Sequence, residues 1–377
     1  MSARCPLCSA ASEVLATHEV SVTSESKTLP APSSLHVCVS CGHLFTTIDI
    51  DFGEYYAESY DSTLTDDGMD EIVSTTSGPI RYRTDVDYDL FREKLMRARS
   101  PDTSVLEFGA GRGRILSRLA KSGFTNLSAY ELGTRYEGPL GAIVGAERVH
   151  IGTPPRGREF DVIASFFVLE HDVDPRASLA YMRSVSAVGG DLYLMVPSYR
   201  TNAIDLACAD HVHHFSGQGL AALVEAAGFE VVDIDETSSI GAVVVVAKNR
   251  GRAASPLRAL PDAKAHSIAA ARDYLELKER ISRLGTSLRP GARLYLYGAG
   301  FYATLASAAL GGRPVDGVFD ANQKKQGSLR FGQPVRDPAA IARENFNDAS
   351  LVVCVNGTIA GTIKARFEPY FDQVTCL

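Results

Sequence analysis

Three groups of residues in this 377-residue chain have types and spacings suited to chemistry. The first is a set of cysteines. Four of the seven fall within the first 41 residues, as Cys5-Pro6-Leu7-Cys8 and Cys38-Val39-Ser40-Cys41. A two-residue gap lets a tight knuckle aim two thiolates at one tetrahedral ion, and two knuckles supply the four sulfurs of a structural zinc. Gly42 follows the second pair, where a sharp turn favours a residue without Cβ. The 29 residues between Cys8 and Cys38 exceed the commonest ribbon spacing, so an excursion such as Glu19–Leu29 is expected to loop out between the knuckles. A disulfide pair or idle thiols are the alternative, and disulfides are disfavoured by an N-terminus without the apolar core of a secretory signal. His43 could replace a ligand, though a surface histidine is the expectation. Cys208, Cys354 and Cys376 are scattered and read as buried thiols.

The second group surrounds a glycine loop. Ser104–Phe108 is a short apolar strand, followed by Gly109-Ala110-Gly111-Arg112-Gly113. Alternate glycines let backbone turn sharply and approach a ligand, but Gly-x-Gly-x-Gly is not the Gly-x-Gly-x-x-Gly of a pyrophosphate site. Glu107, two places before the first glycine, would repel a phosphate and suits an ammonium group. Glu131 ends the second strand, 22 residues beyond Gly109. A carboxylate there can accept both hydroxyls of an adenosine ribose; a solvated loop acid is the alternative. Together these features point to S-adenosylmethionine, held by Glu107, Gly109, Gly111, Gly113 and Glu131, with Phe166 near the end of a later strand as a further contact.

The third group is histidine-rich: Asp210-His211-Val212-His213-His214-Phe215-Ser216, and Glu170-His171-Asp172. A neutral imidazole is the usual base near pH 7 because its free pKa is about 6.5. His211 and His171 both follow strands at the carboxyl edge of a sheet, where ligands bind in open α/β folds. Asp210 could orient His211 or raise its basicity. Glu170-His171 could instead cap a loop or pack on the cofactor side, and His213 and His214 read as surface or packing residues. Tyr60, in the aromatic and acidic run Glu54–Asp61, could reach a substrate.

The elements that must position these groups alternate. Strands at 104–108, 127–130, 160–167 and 191–196 are interleaved with a helix carrying Ile115, Leu116 and Leu119 on one face and a helix over 175–187, which predicts a parallel sheet covered on both faces. Ser216 caps a helix that closes at Gly228. Two final strands, 230–234 and 242–247, are joined by a turn too short for a crossover helix and should pair antiparallel. The stretch from 61 to 99 reads as mostly helical. After a linker at 249–261, one long helix over 263–284 leads to a second α/β unit, with strands at 293–297, 315–319, 350–355 and 373–377 and Gly298-Ala299-Gly300 at its first turn. The expected organisation is a zinc-binding lobe at 1–50, a helical connection at 51–98, a cofactor-binding core at 99–250 and a C-terminal Rossmann-like α/β domain at 263–377.

Composition sets the bounds. Hydrophobic residues make up 45% and charged residues 22%, an ordinary globular mix. The formal charge of −7 does not recommend nucleic acid as a partner, and no apolar run is long enough for a membrane span. A cytoplasmic protein acting on a small molecule is the expectation.

From Val105–Arg114 through Val244 the chain resembles the class I methyltransferases. With a four-cysteine N-terminal lobe and a C-terminal α/β lobe, it resembles more narrowly the sugar C-methyltransferases that act on nucleotide-linked ketosugars. Three segments carry that likeness: the double knuckle ending Cys41-Gly42-His43; the segment Asp210–Ser216, similar to the family's Glu-His-x-x-Tyr-Phe-Ser; and Tyr297-Gly298-Ala299 with Asp320-Ala321-Asn322-Gln323-Lys324-Lys325-Gln326-Gly327, similar to its Gly-Tyr-Gly-Ala and Asp-x-Asn-x-x-Lys-Gln-Gly. Asp210 replaces the family's glutamate, a histidine replaces its aromatic residue, the lysine expected after Gly298 is missing, and the interval between knuckles differs. The resemblance implies a three-lobed, zinc-containing enzyme that methylates carbon beside a ketone through an enolate, with His211 as base. O-methylation of another small molecule is the alternative chemistry. A nucleotide-dependent reductase built on Gly298-Ala299-Gly300 would lack a third glycine and place Phe301 and Tyr302 against the pyrophosphate. A non-catalytic zinc-ribbon interaction protein would have no use for Glu107, Gly109, Gly111 and Glu131.

Overall fold

The computed structural model describes residues 3–29, 31–56, 72–74, 81–239, 241–258, 262–355 and 357–377. Tyr60 lies outside the described residues. Among them, no helix is long and apolar enough to cross a membrane.

The central sheet has seven strands in the order Val149–Ile151, Leu127–Glu131, Val105–Phe108, Phe160–Phe166, Ser186–Pro197, Ala242–Asn249, Phe229–Asp235. The first five run parallel, and Ala242–Asn249 inserts antiparallel to both its neighbours. This is the Rossmann-like arrangement of the class I methyltransferase fold. Val105–Phe108 and most of Ser186–Pro197 are buried, as expected where helices cover both faces of a parallel sheet. One face packs Ile115, Leu116 and Leu119 of the helix Arg114–Lys121. The other packs Leu179, Met182 and Val185 of the helix Pro175–Val185. The edge strand Val149–Ile151 is absent from the sequence reading because three residues are too short to show an alternation.

The N-terminal residues form an antiparallel sheet of Ser12–His18, Ser33–Cys38 and Leu44–Ile48, and its fourth strand is His213–His214, donated from the core. The excursion between knuckles folds as a small hairpin, Ser21–Val22 with Thr28–Leu29. The C-terminal sheet runs Leu329–Arg330, Gln333–Arg336, Gly317–Phe319, Arg293–Tyr297, Phe346–Val353, Phe371–Cys376 and is parallel apart from its first pair. One hydrophobic cluster runs from Leu35, Val37 and Leu44 of the first sheet through Leu206 to Leu294 and Leu296 of the last.

Two expectations need correction. The long helix over 263–284 is two helices, Ala263–Ala270 and Arg272–Ser287, because buried Ala271 takes a tight turn conformation (φ −78°, ψ −6°). The turn re-aims Tyr274, Leu277 and Leu284 into the shared cluster. The connection is also less helical than expected. Ile72–Ser74 pairs antiparallel with Arg81–Tyr82 before the helix Arg83–Phe91, and a wider π turn follows at Arg92–Met96.

Candidate functional site

The glycine loop leaves the carboxyl end of the first core strand. Gly109, Gly111 and Gly113 all have left-handed backbones, with φ of 76°, 51° and 69°. A Cβ on Gly109 would stand 2.3 Å from Val168 Cγ2, so this glycine is required by the loop that carries Glu170 and His171. A Cβ on Gly113 would meet Leu140 and Ile143, whereas one on Gly111 would meet nothing within 4 Å. The loop is thus packed at its ends and open at its middle.

Two carboxylates flank it. Glu131 accepts hydrogen bonds from the Gly111 amide (2.7 Å) and from the Leu132 and Gly133 amides (2.7 and 3.1 Å). Glu107 is buried and its Oε2 has no hydrogen-bond partner. Burial pushes its carboxyl up to about 8, opposed by a backbone hydrogen bond at Leu116 and reinforced by the charge of Glu131. A buried carboxyl with an unpartnered oxygen beside an open glycine loop could hold the ammonium of S-adenosylmethionine, and Glu131 could accept from ribose hydroxyls. Phe166 is half-buried at its strand end, packed on Phe91 (5.5 Å between centroids) and Tyr193 (5.3 Å).

Beyond Val168 the histidines converge. The rings of His171 and His211 meet edge to face, with centroids 4.7 Å apart. Phe167, just before this loop, has φ 56°, a strained value for a bulky residue. The Tyr56 hydroxyl lies 2.6 Å from His171 Nδ1 and 3.1 Å from Asp210 Oδ2. His171 is held down to about 4 by burial and by the charge of His211, and so stays neutral. His213 and His214 are buried rather than on the surface, because their strand completes the N-terminal sheet. His43 is buried too, 2.9 Å from His213 Nδ1, which corrects the expectation of a surface histidine.

Asp210 is not the residue that touches His211. Its carboxylate accepts from the Ser24 amide and hydroxyl (both 2.7 Å) and from the Cys208 thiol (3.0 Å). The partner of His211 is Asp205, with Oδ1 2.5 Å from Nδ1, and the sequence reading missed it. Its signal was there: a single acid in the apolar run Ile204-Asp205-Leu206-Ala207, buried in a short 3-10 turn. Burial opposes the charge on both partners. The mutual attraction prevails, holding Asp205, which also faces His214, well below the carboxylate range and lifting His211 to about 9.

The four N-terminal cysteines converge. Sγ separations are 3.7 Å for Cys5–Cys41, 3.4 Å for Cys8–Cys38 and 3.5 Å for Cys8–Cys41. Four sulfurs at ~2.3 Å around a tetrahedral zinc stand about 3.8 Å apart, whereas a disulfide needs ~2.05 Å. The Ser40 and Cys41 amides point at Cys38 Sγ (3.4 Å each), as donors to a thiolate do. The set could hold one zinc ion. Cys208 and Cys354 are buried, and Cys376 is partly exposed.

Comparison with known proteins gives one family: residues 82–234 match the model of a methyltransferase domain. Solved structures similar to parts of the chain include an S-adenosylmethionine-dependent methyltransferase from Mesorhizobium loti, at 12% identity over 43% of this chain and 97% of the other, TM-score 0.37. The CcbJ methyltransferase from Streptomyces caelestis aligns at 15% identity over 46% and 89%, TM-score 0.35. The 1,6-didemethyltoxoflavin-N1-methyltransferase of Burkholderia thailandensis, solved with bound 1,6-didemethyltoxoflavin and S-adenosylhomocysteine, aligns at 18% identity over 56% of this chain and 97% of the other, TM-score 0.38. No curated protein matches the sequence.

Proposed function

Starting from a chain that carries a class I S-adenosylmethionine-dependent methyltransferase domain, we propose that the protein methylates carbon beside the ketone of a nucleotide-linked ketosugar. In this reading His211 removes the proton that yields the enolate. The observation that carries it is the buried Asp205–His211 pair, set edge to face against His171 on the loop that packs on Gly109.

S-adenosylmethionine supplies the methyl group as an electrophile bound to a sulfonium. The chain's own residues do the rest. Glu107 and Glu131 orient the donor beside the glycine loop. Asp205 accepts a hydrogen bond from His211 Nδ1–H, so the lone pair available after deprotonation is on Nε2. With its pKa lifted to about 9, the imidazole must lose a proton before it can accept one from the substrate, so enolate formation should accelerate as pH rises toward 9. Neutral His171 and the Tyr56 hydroxyl stand on the same basin, with Asp210 fixed behind them. The C-terminal lobe is proposed to pack over the nucleotide-sugar cleft.

The test is solvent deuterium exchange into a nucleotide-linked ketosugar, with S-adenosylhomocysteine in place of the donor. The natural protein should exchange the proton beside the ketone. His211→Gln should slow exchange by about a hundredfold or more, the range for losing a general base, while S-adenosylhomocysteine affinity is retained. Exchange that survives in His211→Gln and disappears in His171→Gln would move the base to His171. A methyl ether in place of a new C–CH3 group would replace the reading with O-methylation.

Cys5, Cys8, Cys38 and Cys41 are proposed to hold one structural zinc, and metal analysis should find about one ion per chain. A fully folded, active protein free of metal would remove that assignment.

A further inference from the structure

Beside the proposed base stands a carboxylate with two histidines on it. Asp205 is 4% exposed; Oδ1 is 2.5 Å from His211 Nδ1 and Oδ2 is 2.8 Å from His214 Nδ1. An ionised carboxylate only accepts, so both imidazoles present Nδ1–H to it. His214 Nε2 lies 2.9 Å from Thr46 Oγ1, and Thr46 belongs to the N-terminal strand Leu44–Ile48. The Thr46 amide also donates to the Val212 carbonyl, next to His211 in the chain.

We propose that Asp205 is a positioning residue: clamped between His211 and His214, it fixes the tautomer and ring orientation of His211, and Thr46 anchors the clamp to the N-terminal sheet. The proposal rests on His211 being the base and adds what aims it.

The groups that face His211 support the assignment. Glu170, pushed up to about 8 by burial, holds little charge at neutral pH. The Asp210 carboxylate is turned to Ser24 and Cys208, His171 is neutral, and the Cys208 thiol is pushed well up by burial. Asp205 is therefore the charged group that both touches His211 and is itself held from a second side. A carboxylate held by one imidazole could rotate about its own side-chain bonds, whereas one held at both oxygens cannot. This gives the N-terminal lobe a part in the site that goes beyond scaffolding: one of its hydroxyls is three hydrogen bonds from Nε2 of the base.

The experiment is an NMR titration of the full chain, with 15N-labelled histidines, in the presence of S-adenosylhomocysteine. His211 should keep Nδ1–H and titrate at Nε2 well above ~6.5. In Asp205→Asn the titration should fall by about one pH unit or more, and the pH limb of deuterium exchange should move down with it. An unchanged His211 titration in a folded Asp205→Asn protein would overturn the proposal. That outcome differs from a failure of the catalytic reading, in which His211→Gln exchanges at the natural rate whatever Asp205 does. Should Asp205→Asn not fold, His214→Gln removes one arm and leaves the charge. Turnover should then fall by up to about a hundredfold at constant KM, the cost of a misplaced reacting group, with mixed His211 tautomers. Constant turnover and a single tautomer would overturn the clamp.

Discussion

The chain contains two glycine loops built on one plan, and they differ in what they leave open. In the core, Val105–Phe108 runs into Gly109, and the Gly111 amide donates to Glu131 at the end of the next strand. In the C-terminal unit, Arg293–Tyr297 runs into Gly298, and the Ala299 amide donates to Asp320 after the next strand (2.8 Å). The core loop has three left-handed glycines and nothing within 4 Å of the Cβ direction at Gly111. The C-terminal loop has one left-handed glycine, Gly298, whose Cβ would lie 2.5 Å from the Cys354 carbonyl oxygen. Gly300 faces Lys325 Nζ, and Phe301 and Tyr302 follow on its helix. Where the core strand carries buried Glu107 with an orphan oxygen, the C-terminal strand ends in Tyr295 and Tyr297 packed among aromatics. The lesson is that strand–glycine–helix with a distal acid is an architecture, and a ligand site also needs space and an unsatisfied charge.

The largest effect expected from this contrast concerns the two distal acids. Glu131→Ala removes the proposed ribose acceptor, and losing a charged hydrogen-bond partner should cost roughly 1.5–3 kcal/mol of binding. Calorimetry with S-adenosylhomocysteine should show at least a tenfold loss with the fold intact. Asp320→Ala should leave that affinity unchanged. Equal losses in the two variants would break the comparison, since the C-terminal loop would then share in cofactor binding.

A pH dependence should separate the loops next. Burial penalises the charge of Glu107 and pushes its carboxyl up to about 8. An ammonium group arriving there favours the carboxylate, so binding at pH 7 should release a proton. Affinity for S-adenosylhomocysteine should therefore rise as pH climbs toward 8, by about tenfold per pH unit at most. Calorimetry in buffers of different ionisation enthalpy reads the proton directly, and Glu107→Gln should abolish both signals. Affinity that is flat between pH 6 and 8 would show that Glu107 does not meet the ammonium.

Much of the core was legible in the sequence because its signals are local. The apolar run at 105–108, the glycines after it and the short turn before Ala242 each announce their own geometry. The histidine basin was legible in its members and not in its pairings. Asp210 adjoins His211 in the chain and turns away from it, while Asp205, six residues back, reaches it through a 3-10 turn. That turn is set by burial of Ile204 and Leu206, which no period in five residues can announce. The His213–His214 strand was hidden for a related reason. Two residues pair only because the N-terminal sheet, some 170 positions earlier, offers an edge.

The smallest effect is the sharpest discriminator, because it sets glycine against alanine in each loop. At Gly111 an alanine would have to hold φ near 51°, at a cost of roughly 1–2 kcal/mol for an L residue, although its Cβ meets nothing. At Gly300 the backbone is extended (φ −121°, ψ −155°), and the added methyl would sit 3.6 Å from Lys325 Nζ, an ordinary contact. There the substitution removes freedom from the unfolded chain, worth about 0.4–1 kcal/mol in favour of folding, but Gly300 is the N-cap of the helix Phe301–Ala309, where alanine is poorer than glycine by a similar amount, so the two offset. Gly111→Ala should therefore lower the melting temperature and weaken S-adenosylhomocysteine, since strain at that turn is relieved by moving the amides of the proposed cofactor loop. Gly300→Ala should leave both the melting temperature and the cofactor affinity nearly where they were. If Gly300→Ala instead weakened S-adenosylhomocysteine as much as Gly111→Ala, the C-terminal loop would have to approach the ligand closely, and the contrast between the two loops would fail.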